Sequence, residues 1–137
     1  MSDRALEQLR RQHDLVWETM LLVRHEYTII APMDDLLRRK IWNENDDFDV
    51  VRDEMDILRD HVKSSKETVL KLKSEIVKYN SAAEAAKHRF RSDPNFESRI
   101  RRIDLDAREY CCVILPMSIK ELFKETNVLY HYAALKH

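Results

Sequence analysis

The sequence of 137 residues contains no glycine. At an average usage of about 7%, roughly ten glycines would be expected, and glycine is the residue that adopts left-handed backbone most cheaply. Its absence excludes glycine-rich phosphate loops, the dinucleotide-binding fingerprint and the nucleophile elbow of hydrolases, and it disfavours tight β-hairpins. The sequence therefore predicts an all-α protein.

Long apolar runs are also missing. The longest, residues 111–115, is far too short to cross a bilayer, and no apolar stretch typical of a secretory signal follows the first residues. Cysteine is scarce, and Cys111 and Cys112 are neighbours, which is poor geometry for a disulfide within a helix. We expect an intracellular protein, cytoplasmic or nuclear, in a reducing compartment and without a membrane span.

An excess of charge of one sign is missing as well, because the net charge is −1. This balance argues against a uniformly basic nucleic-acid binder. The distribution is nevertheless uneven, with acids dominating residues 46–60 and bases dominating residues 87–102. The basic segment predicts a contact face formed by Lys87, Arg89, Arg91, Arg99, Arg101 and Arg102.

Apolar residues recur at alternating steps of three and four from Leu6 to Ile30, which predicts a helix over residues 2–31 with a heptad seam. Further apolar residues, Leu15, Leu22 and Ile29 with Trp17 and Leu21, widen this stripe, so the helix is expected to pack against more than one neighbour. Pro32 is predicted to end the helix, at a cost of about 3 kcal/mol if the helix continued. A short helix over residues 34–43 would then begin at Asp34.

Residues 43–47 are weak helix formers and predict a turn. The same alternation of steps then runs from Phe48 to Phe90, which predicts a helix over residues 47–91, about 65 Å long. The heptad register also continues across residues 30–48, so residues 1–91 form either one kinked coiled coil or a helical hairpin. The hairpin is favoured, because Pro32 and residues 43–47 both interrupt helices.

Residues 92–137 are predicted to form two shorter helices. Pro94 suits the first position of a helix, and its seam continues from Phe96 to Met117. Pro116 interrupts this seam, and Ser118 with Glu121 matches a capping box that starts a final helix over residues 119–135. The whole interaction seam is predicted to comprise Leu58, Val62, Val69, Leu72, Ile76, Tyr79, Phe90, Leu122 and Leu129.

Three polar residues, His13, Glu44 and Ser65, occupy seam positions. Polar seam residues typically fix register or oligomeric state at a cost in stability. The a positions Val62, Val69 and Ile76, with leucine at d, favour a parallel two-stranded coiled coil of the long helix. Charges at the g and e positions agree, because Asp47 and Glu54 would face Arg52 and Arg59 of a parallel copy.

No pattern predicts a catalytic residue, a cofactor or a metal site. No histidine follows a glutamate at the spacing of di-iron bundles, His25 and Glu26 belong to an incomplete H-E-x-x-H motif, and the acids of residues 46–60 lack the glycine of a calcium loop. The cysteine pair lies in an apolar run that would make both thiols inert. We therefore expect a protein that is not an enzyme.

Two functions remain open. The stronger prediction is a coiled-coil scaffold or adaptor subunit that binds protein partners through its helical seams, as a homo-oligomer or hetero-oligomer. The alternative is a nucleic-acid-associated helical factor that uses residues 87–108. Nucleic acid is the less favoured partner, because the candidate stacking residues Phe90, Phe96 and Tyr110 all lie on the seam.

Overall fold

A computed structural model describes residues 2–43 and 47–137, and within these ranges it contains helices and no strand, which confirms the all-α prediction. The predicted seam residue Glu44 lies outside the described residues. The helices are α1 (Ser2–Trp42), α2 (Phe48–Arg89), α3 (Phe96–Arg99), α4 (Leu105–Glu109), a π-helical turn (Tyr110–Ile114) and α5 (Leu115–Ala134).

The long helices α1 and α2 lie side by side and run in opposite directions. Lys40 near the end of α1 pairs with Glu54 near the start of α2, at 2.5 Å. At the other end, the rings of His13 and Tyr79 meet at 5.5 Å between centroids. Residue numbers in contact thus rise along α1 as they fall along α2.

Pro32 does not end α1, so the predicted break into helices 2–31 and 34–43 is wrong. Pro32 itself is exposed, whereas Ile30, Asp34 and Leu37 on either side of it are each 1% exposed. A proline inside a helix costs about 3 kcal/mol, and burial of large aliphatic side chains stabilises by about 1.5–3 kcal/mol each. Packing of the following turns against α2 and α5 therefore offsets the lost hydrogen bond.

The chain between α2 and α4 also differs from the prediction, because the helix expected from Phe96 to Met117 is split. Helix α3 ends at Arg99, and the next residue, Ile100, has extended backbone at φ −81° and ψ 124°. Asp104 then caps α4, with its carboxylate accepting hydrogen bonds from the backbone of Asp106 and Ala107. The intervening segment is anchored to α2 by the Tyr79 hydroxyl, which donates to the carbonyl of Arg101.

The break predicted at Pro116 is absent, since the helix continues through the π-helical turn into α5. The backbone N–H of Leu115 donates to the carbonyl of Tyr110, five residues earlier. This extra residue per turn relieves the clash that Pro116, which has no N–H, would cause in a regular helix. Ser118 does not cap a new helix, because its hydroxyl donates to the carbonyl of Ile114 at 3.0 Å.

The π-helical turn also moves the buried face by one residue. The predicted seam positions Tyr110, Ile114 and Met117 are exposed. Cys111 and Leu115, one residue after Tyr110 and Ile114, face the core instead, together with Cys112 and Ile119.

The segment from α4 to α5 lies along α1 in the same direction and completes a three-helix arrangement. The Cys111 thiol contacts the carbonyl of Met20 at 3.7 Å, and Arg38 near the end of α1 contacts Thr126. Phe48 at the start of α2 stacks on Tyr130 of α5. None of the helices in the described part of the chain is both long and apolar enough to cross a membrane.

Candidate interaction surface

The predicted interaction seam of α2 forms the internal core of the chain. Its residues from Leu58 to Tyr79 are each at most 5% exposed and pack against α1 and the α4–α5 segment. Phe90, Leu122 and Leu129 are half-buried. A parallel coiled coil through this seam would have to displace α1, so the structure differs from that expectation.

The charge argument for parallel pairing fails for a specific reason. It assigned Glu54 to an arginine of a second copy, whereas Lys40 of the same chain lies opposite Glu54 at 2.5 Å. Arg52 and Arg59 instead pair with Asp49 and Asp56 of their own helix. Polar seam residues also have intramolecular surroundings: Ser65 is buried, and His13 Nε2 lies 3.3 Å from the carbonyl oxygen of Arg102.

The seam has two flanks, which the heptad letters distinguish. With Leu6 and Met55 at position a, the e positions lie on one flank and the g positions on the other. The α4–α5 segment covers the e flank, where the guanidinium of Arg24 lies over the Tyr110 ring at 5.8 Å and Arg38 binds α5. We call this flank the covered face.

A cluster of polar side chains on the covered face has its hydrogen bonds satisfied within the chain. Arg38 Nε donates to Thr126 Oγ1 at 2.7 Å and lies 2.9 Å from Asp34 Oδ2. The Thr126 hydroxyl donates to Asp34 Oδ1 at 2.6 Å. Two further Arg38 nitrogens donate to the Glu125 carboxylate and to the carbonyl of Leu122. These directional bonds fix the register of α5 on α1.

Burial raises the pKa of Asp34 above its ordinary value, and the hydrogen bond from Thr126 and the charge of Arg38 oppose that rise. The carboxylate is 1% exposed, so the loss of solvation outweighs the attraction of its partners. The cluster therefore has the chemistry of a structural clip between two helices. It leaves no group available to a ligand.

The opposite flank of the seam is uncovered, and we call it the open face. Its floor consists of the g positions of the two long helices: Gln12, Thr19, Glu26, Met33 and Lys40 on α1, and Glu54, His61, Thr68, Glu75 and Ala82 on α2. Its rim on α1 is the row of c positions, Leu15, Leu22, Ile29 and Leu36, which are between 36% and 53% exposed. The rim is apolar at four successive heptads.

Contacts across the floor define its register. Lys40 pairs with Glu54, and two heptads further along the pair of helices Thr68 donates to Glu26 Oε1 at 2.8 Å. One more heptad along the same antiparallel alignment places Glu75 opposite Thr19. The next places Ala82 opposite Gln12.

The floor contains buried acceptor oxygens that receive no hydrogen bond from the described residues. They are Gln12 Oε1, Glu26 Oε2 and both carboxylate oxygens of Glu75. The Glu75 side chain is only 10% exposed, and the nearest cation, Lys71 Nζ, lies 3.9 Å away, beyond hydrogen-bond distance. Leaving buried acceptors unpaired is costly, and such atoms are rare in folded proteins.

The predicted basic contact face is partly neutralised by acids of the chain. Lys87 lies 3.7 Å from Glu97 and Arg101 lies 3.6 Å from Asp14. Arg99 also pairs, at 3.1 Å from Asp3. The other three predicted residues, Arg89, Arg91 and Arg102, are exposed. The guanidinium of Arg89 lies over the Phe90 ring.

The cysteines are core residues, and the pKa of each thiol is raised by burial. Both are free. Within residues 2–43 and 47–137, no three histidine, cysteine, aspartate or glutamate side chains group closely enough to hold a metal ion.

No protein-family model, curated protein or solved structure matches the chain. The sequence indicated the open face only in part, through the apolar residues Leu15, Leu22 and Ile29 that widen the stripe of the first helix. It did not single out Gln12, Glu26 or Glu75. The available signal was the repetition of polar residues at g positions, which acquires a meaning only when the partner helix and its direction are known.

Proposed function

We propose that this chain is a non-enzymatic helical subunit that holds a partner protein in a multiprotein assembly through its open face. The observation that carries the proposal is the apolar rim of four c positions, Leu15 to Leu36, left uncovered beside a seam that is already filled. The predicted role of scaffold or adaptor is thereby kept. The surface assigned to it moves from the seam to the flank of the seam.

The geometry of helix bundles supports this role. Two antiparallel helices present a groove on each side of their seam, and a further helix can pack into each groove. The α4–α5 segment fills one groove of the α1–α2 pair, whereas the other is lined by aliphatic side chains at heptad spacing. An exposed apolar row beside a polar floor offers a partner helix both apolar contacts and hydrogen-bond acceptors.

Association with nucleic acid, the alternative function, has less support. Three of its six predicted cations pair with acids of the same chain, and Phe96 is buried. A backbone-binding surface needs free cations that displace counterions from phosphates. We retain it as the outcome that a salt-sensitive binding assay with duplex and single-stranded DNA would reveal.

The proposed function is tested by one pair of matched variants in the cells that produce the protein. Leu22→Asp places a charge on the rim of the open face, and Leu70→Asp places the same charge on an exposed leucine of α2 away from it. Native size separation of the tagged chain should show a complex of defined size and constant stoichiometry for the wild type and for Leu70→Asp. Leu22→Asp should release the chain from that complex with its helix content unchanged by circular dichroism.

Retention of Leu22→Asp in the complex would contradict the proposal. So would a wild-type chain that migrates only as a monomer in its native extract.

A further inference from the structure

We infer that the open face binds an amphipathic helix of a partner protein, and that this helix carries two basic side chains seven residues apart within its apolar face. The inference rests on the proposed function and specifies the chemistry of the partner. Three observations support it: the length of the apolar rim, the nature of the unpaired atoms on the floor, and the distance between them.

The rim determines the length of the bound segment. From Leu15 to Leu36 the rim spans 21 residues of α1, a rise of about 32 Å in an α-helix. A bound helix that covers the rim therefore needs about six turns. Its apolar residues must recur every seven residues to meet side chains that themselves recur at that interval.

The floor determines the charge of the bound segment. Every unpaired buried atom on the floor is an acceptor, and Glu26 and Glu75 are carboxylates. A purely apolar helix would leave these buried charges without a donor and remove the remaining water around them, which is unfavourable. A lysine or arginine supplies both a donor and a compensating charge, and arginine matches a carboxylate with two parallel hydrogen bonds.

The register of the floor determines the spacing of the basic side chains. Glu75 lies opposite Thr19, one heptad from Glu26, which receives its hydrogen bond from Thr68. Along the helix axis one heptad is about 10 Å. Two cations on a parallel or antiparallel bound helix reach both carboxylates if they lie at positions i and i+7 of that helix.

A second copy of this chain is a poorer occupant. Two open faces packed against each other would bring together two sets of the same unpaired carboxylates, and like charges across an interface are unfavourable. Lys40, the lysine of the floor, is already paired with Glu54. The charge of the open face therefore favours a partner of different sequence.

Fluorescence anisotropy with the full chain and three synthetic peptides tests the inference. The first peptide is an amphipathic helix of about six turns with leucine at heptad spacing and two arginines at i and i+7 within the apolar face. The second has the same composition with both arginines moved to the polar face, and the third has glutamate in their place. We expect the first peptide to bind at least about tenfold more tightly than either control, because charge-assisted hydrogen bonds to buried carboxylates form only in that arrangement.

Protein variants then locate the binding. The double variant Glu26→Gln with Glu75→Gln should remove at least about tenfold of the affinity for the first peptide and little of the affinity for the second. Glu67→Gln, an exposed glutamate of α2 away from the floor, is the matched control and should bind as the wild type does. Leu22→Asp should weaken all binding to the open face.

Equal affinity for the three peptides, or no loss in the double glutamine variant, would overturn the inference. Sedimentation equilibrium of the free chain provides another decisive outcome, since a dimer abolished by Leu22→Asp would identify a second copy as the occupant. The proposed function is judged separately. If the peptides fail while Leu22→Asp still releases the chain from its native complex, the charge of the partner helix is wrong and the interaction surface is right.

Discussion

The two flanks of the α1–α2 seam are formed by the same two helices, but only one of them is covered by a third helix. On the covered face, Asp34 and Arg38 meet the Thr126 hydroxyl and form a closed set of hydrogen bonds with α5. On the open face, Glu26 and Glu75 retain carboxylate oxygens without donors. Both flanks carry acidic side chains at or beside the seam, so the difference lies in whether a third helix supplies the donors.

The hydrogen bonding of polar groups beside a hydrophobic seam therefore depends on whether a third helix packs over them. Burying an acceptor is tolerated where a donor is fixed within reach, and it is costly where none is. The covered face therefore describes what a completed flank of this molecule looks like. The partner helix that we propose for the open face would complete that flank in the same way.

The largest expected effect concerns the seam that both flanks share. Leu72→Ala should reduce the free energy of unfolding by about 2–5 kcal/mol, because the side chain is fully buried and the cavity cannot collapse completely. Leu70→Ala, on the exposed side of the same helix, should change it by less than about 0.5 kcal/mol. Urea denaturation of the two variants measures both values.

The same experiment separates an internal seam from an intermolecular one. For an internal seam the midpoint of unfolding is independent of protein concentration, whereas the midpoint of a coiled-coil dimer rises with concentration. A concentration-dependent midpoint that Leu72→Ala abolishes would contradict the intramolecular packing of α1 on α2.

The second-largest loss of stability is expected from a substitution that affects only the covered face. Thr126→Val removes the hydroxyl that donates to Asp34 and leaves a buried carboxylate with fewer donors, so we expect a loss of about 1–3 kcal/mol in unfolding free energy. Thr28→Val is the control, since Thr28 is exposed on α1 and bonds only within its own helix. Similar losses for both threonines would show that the cluster does not hold α5 on α1.

A smaller effect of opposite sign is expected on the open face. Glu75→Gln should leave the stability of the free chain unchanged or raise it by up to about 1 kcal/mol, because it replaces a poorly compensated buried charge with a neutral amide. Thermal unfolding of the chain without any partner measures it. A marked destabilisation would mean that Glu75 already has a partner within the fold, and the two faces would then no longer differ in kind.

The smallest effect is a change in pH dependence at the covered face. Burial raises the pKa of Asp34 above the ordinary value of 3.8, so the folded state holds this proton to a higher pH than the unfolded state does. As pH rises from the ordinary pKa through the raised one, Asp34 therefore lowers the stability of the fold, and above the raised pKa the full penalty remains.

Asp34→Asn removes this titration, so the stability of the wild type relative to the variant should fall across that pH interval and then level off. Urea unfolding of both proteins over a series of pH values from 3 upward follows the difference. A difference that grows in favour of the wild type with rising pH would show that the pairing with Arg38, and not burial, sets the pKa of Asp34.

Heptad periodicity alone located most of the buried positions of α2, because each turn of a long helix presents the same face to one straight neighbour. Periodicity could not predict that α1 continues past Pro32. The hydrogen bond lost at Pro32 is a local cost, whereas the burial of Leu37 that offsets this cost depends on packing against α2 and α5. The sequence around Pro116 likewise predicted a break in the helix, but the packing of α5 against the long helices favours a continuous one. Only five residues, 43–47, connect α1 to α2, so the two helices run in opposite directions when they pack side by side. The pairing of Lys40 with Glu54 becomes visible only once the two helices are aligned.

Of the open face, the sequence predicted only the apolar residues that widen the stripe of the first helix. Leu15, Leu22 and Ile29 are apolar residues outside the seam, which is a property of the sequence. That both carboxylate oxygens of Glu75 lack a hydrogen bond is a property of the three-dimensional neighbourhood. No spacing rule distinguishes it from Glu67, which lies on the same helix and faces solvent.

The π-helical turn at Tyr110–Ile114 gives the last helix a spatial reading frame. Upstream, half-buried Ile103 and Ala107 follow the predicted phase, and downstream Leu115 is buried one residue after the predicted Ile114. Deleting one residue within the turn would restore a regular helix and keep the residues after it on their present faces, because the turn accommodates one extra residue. Deleting one residue from the regular helix between the turn and Thr126 would instead rotate everything after the deletion by about 100°. Thr126 would then point away from Arg38, and a single-residue deletion would act on this chain as a frameshift acts on a message, leaving each residue downstream intact but presenting it to the wrong neighbour.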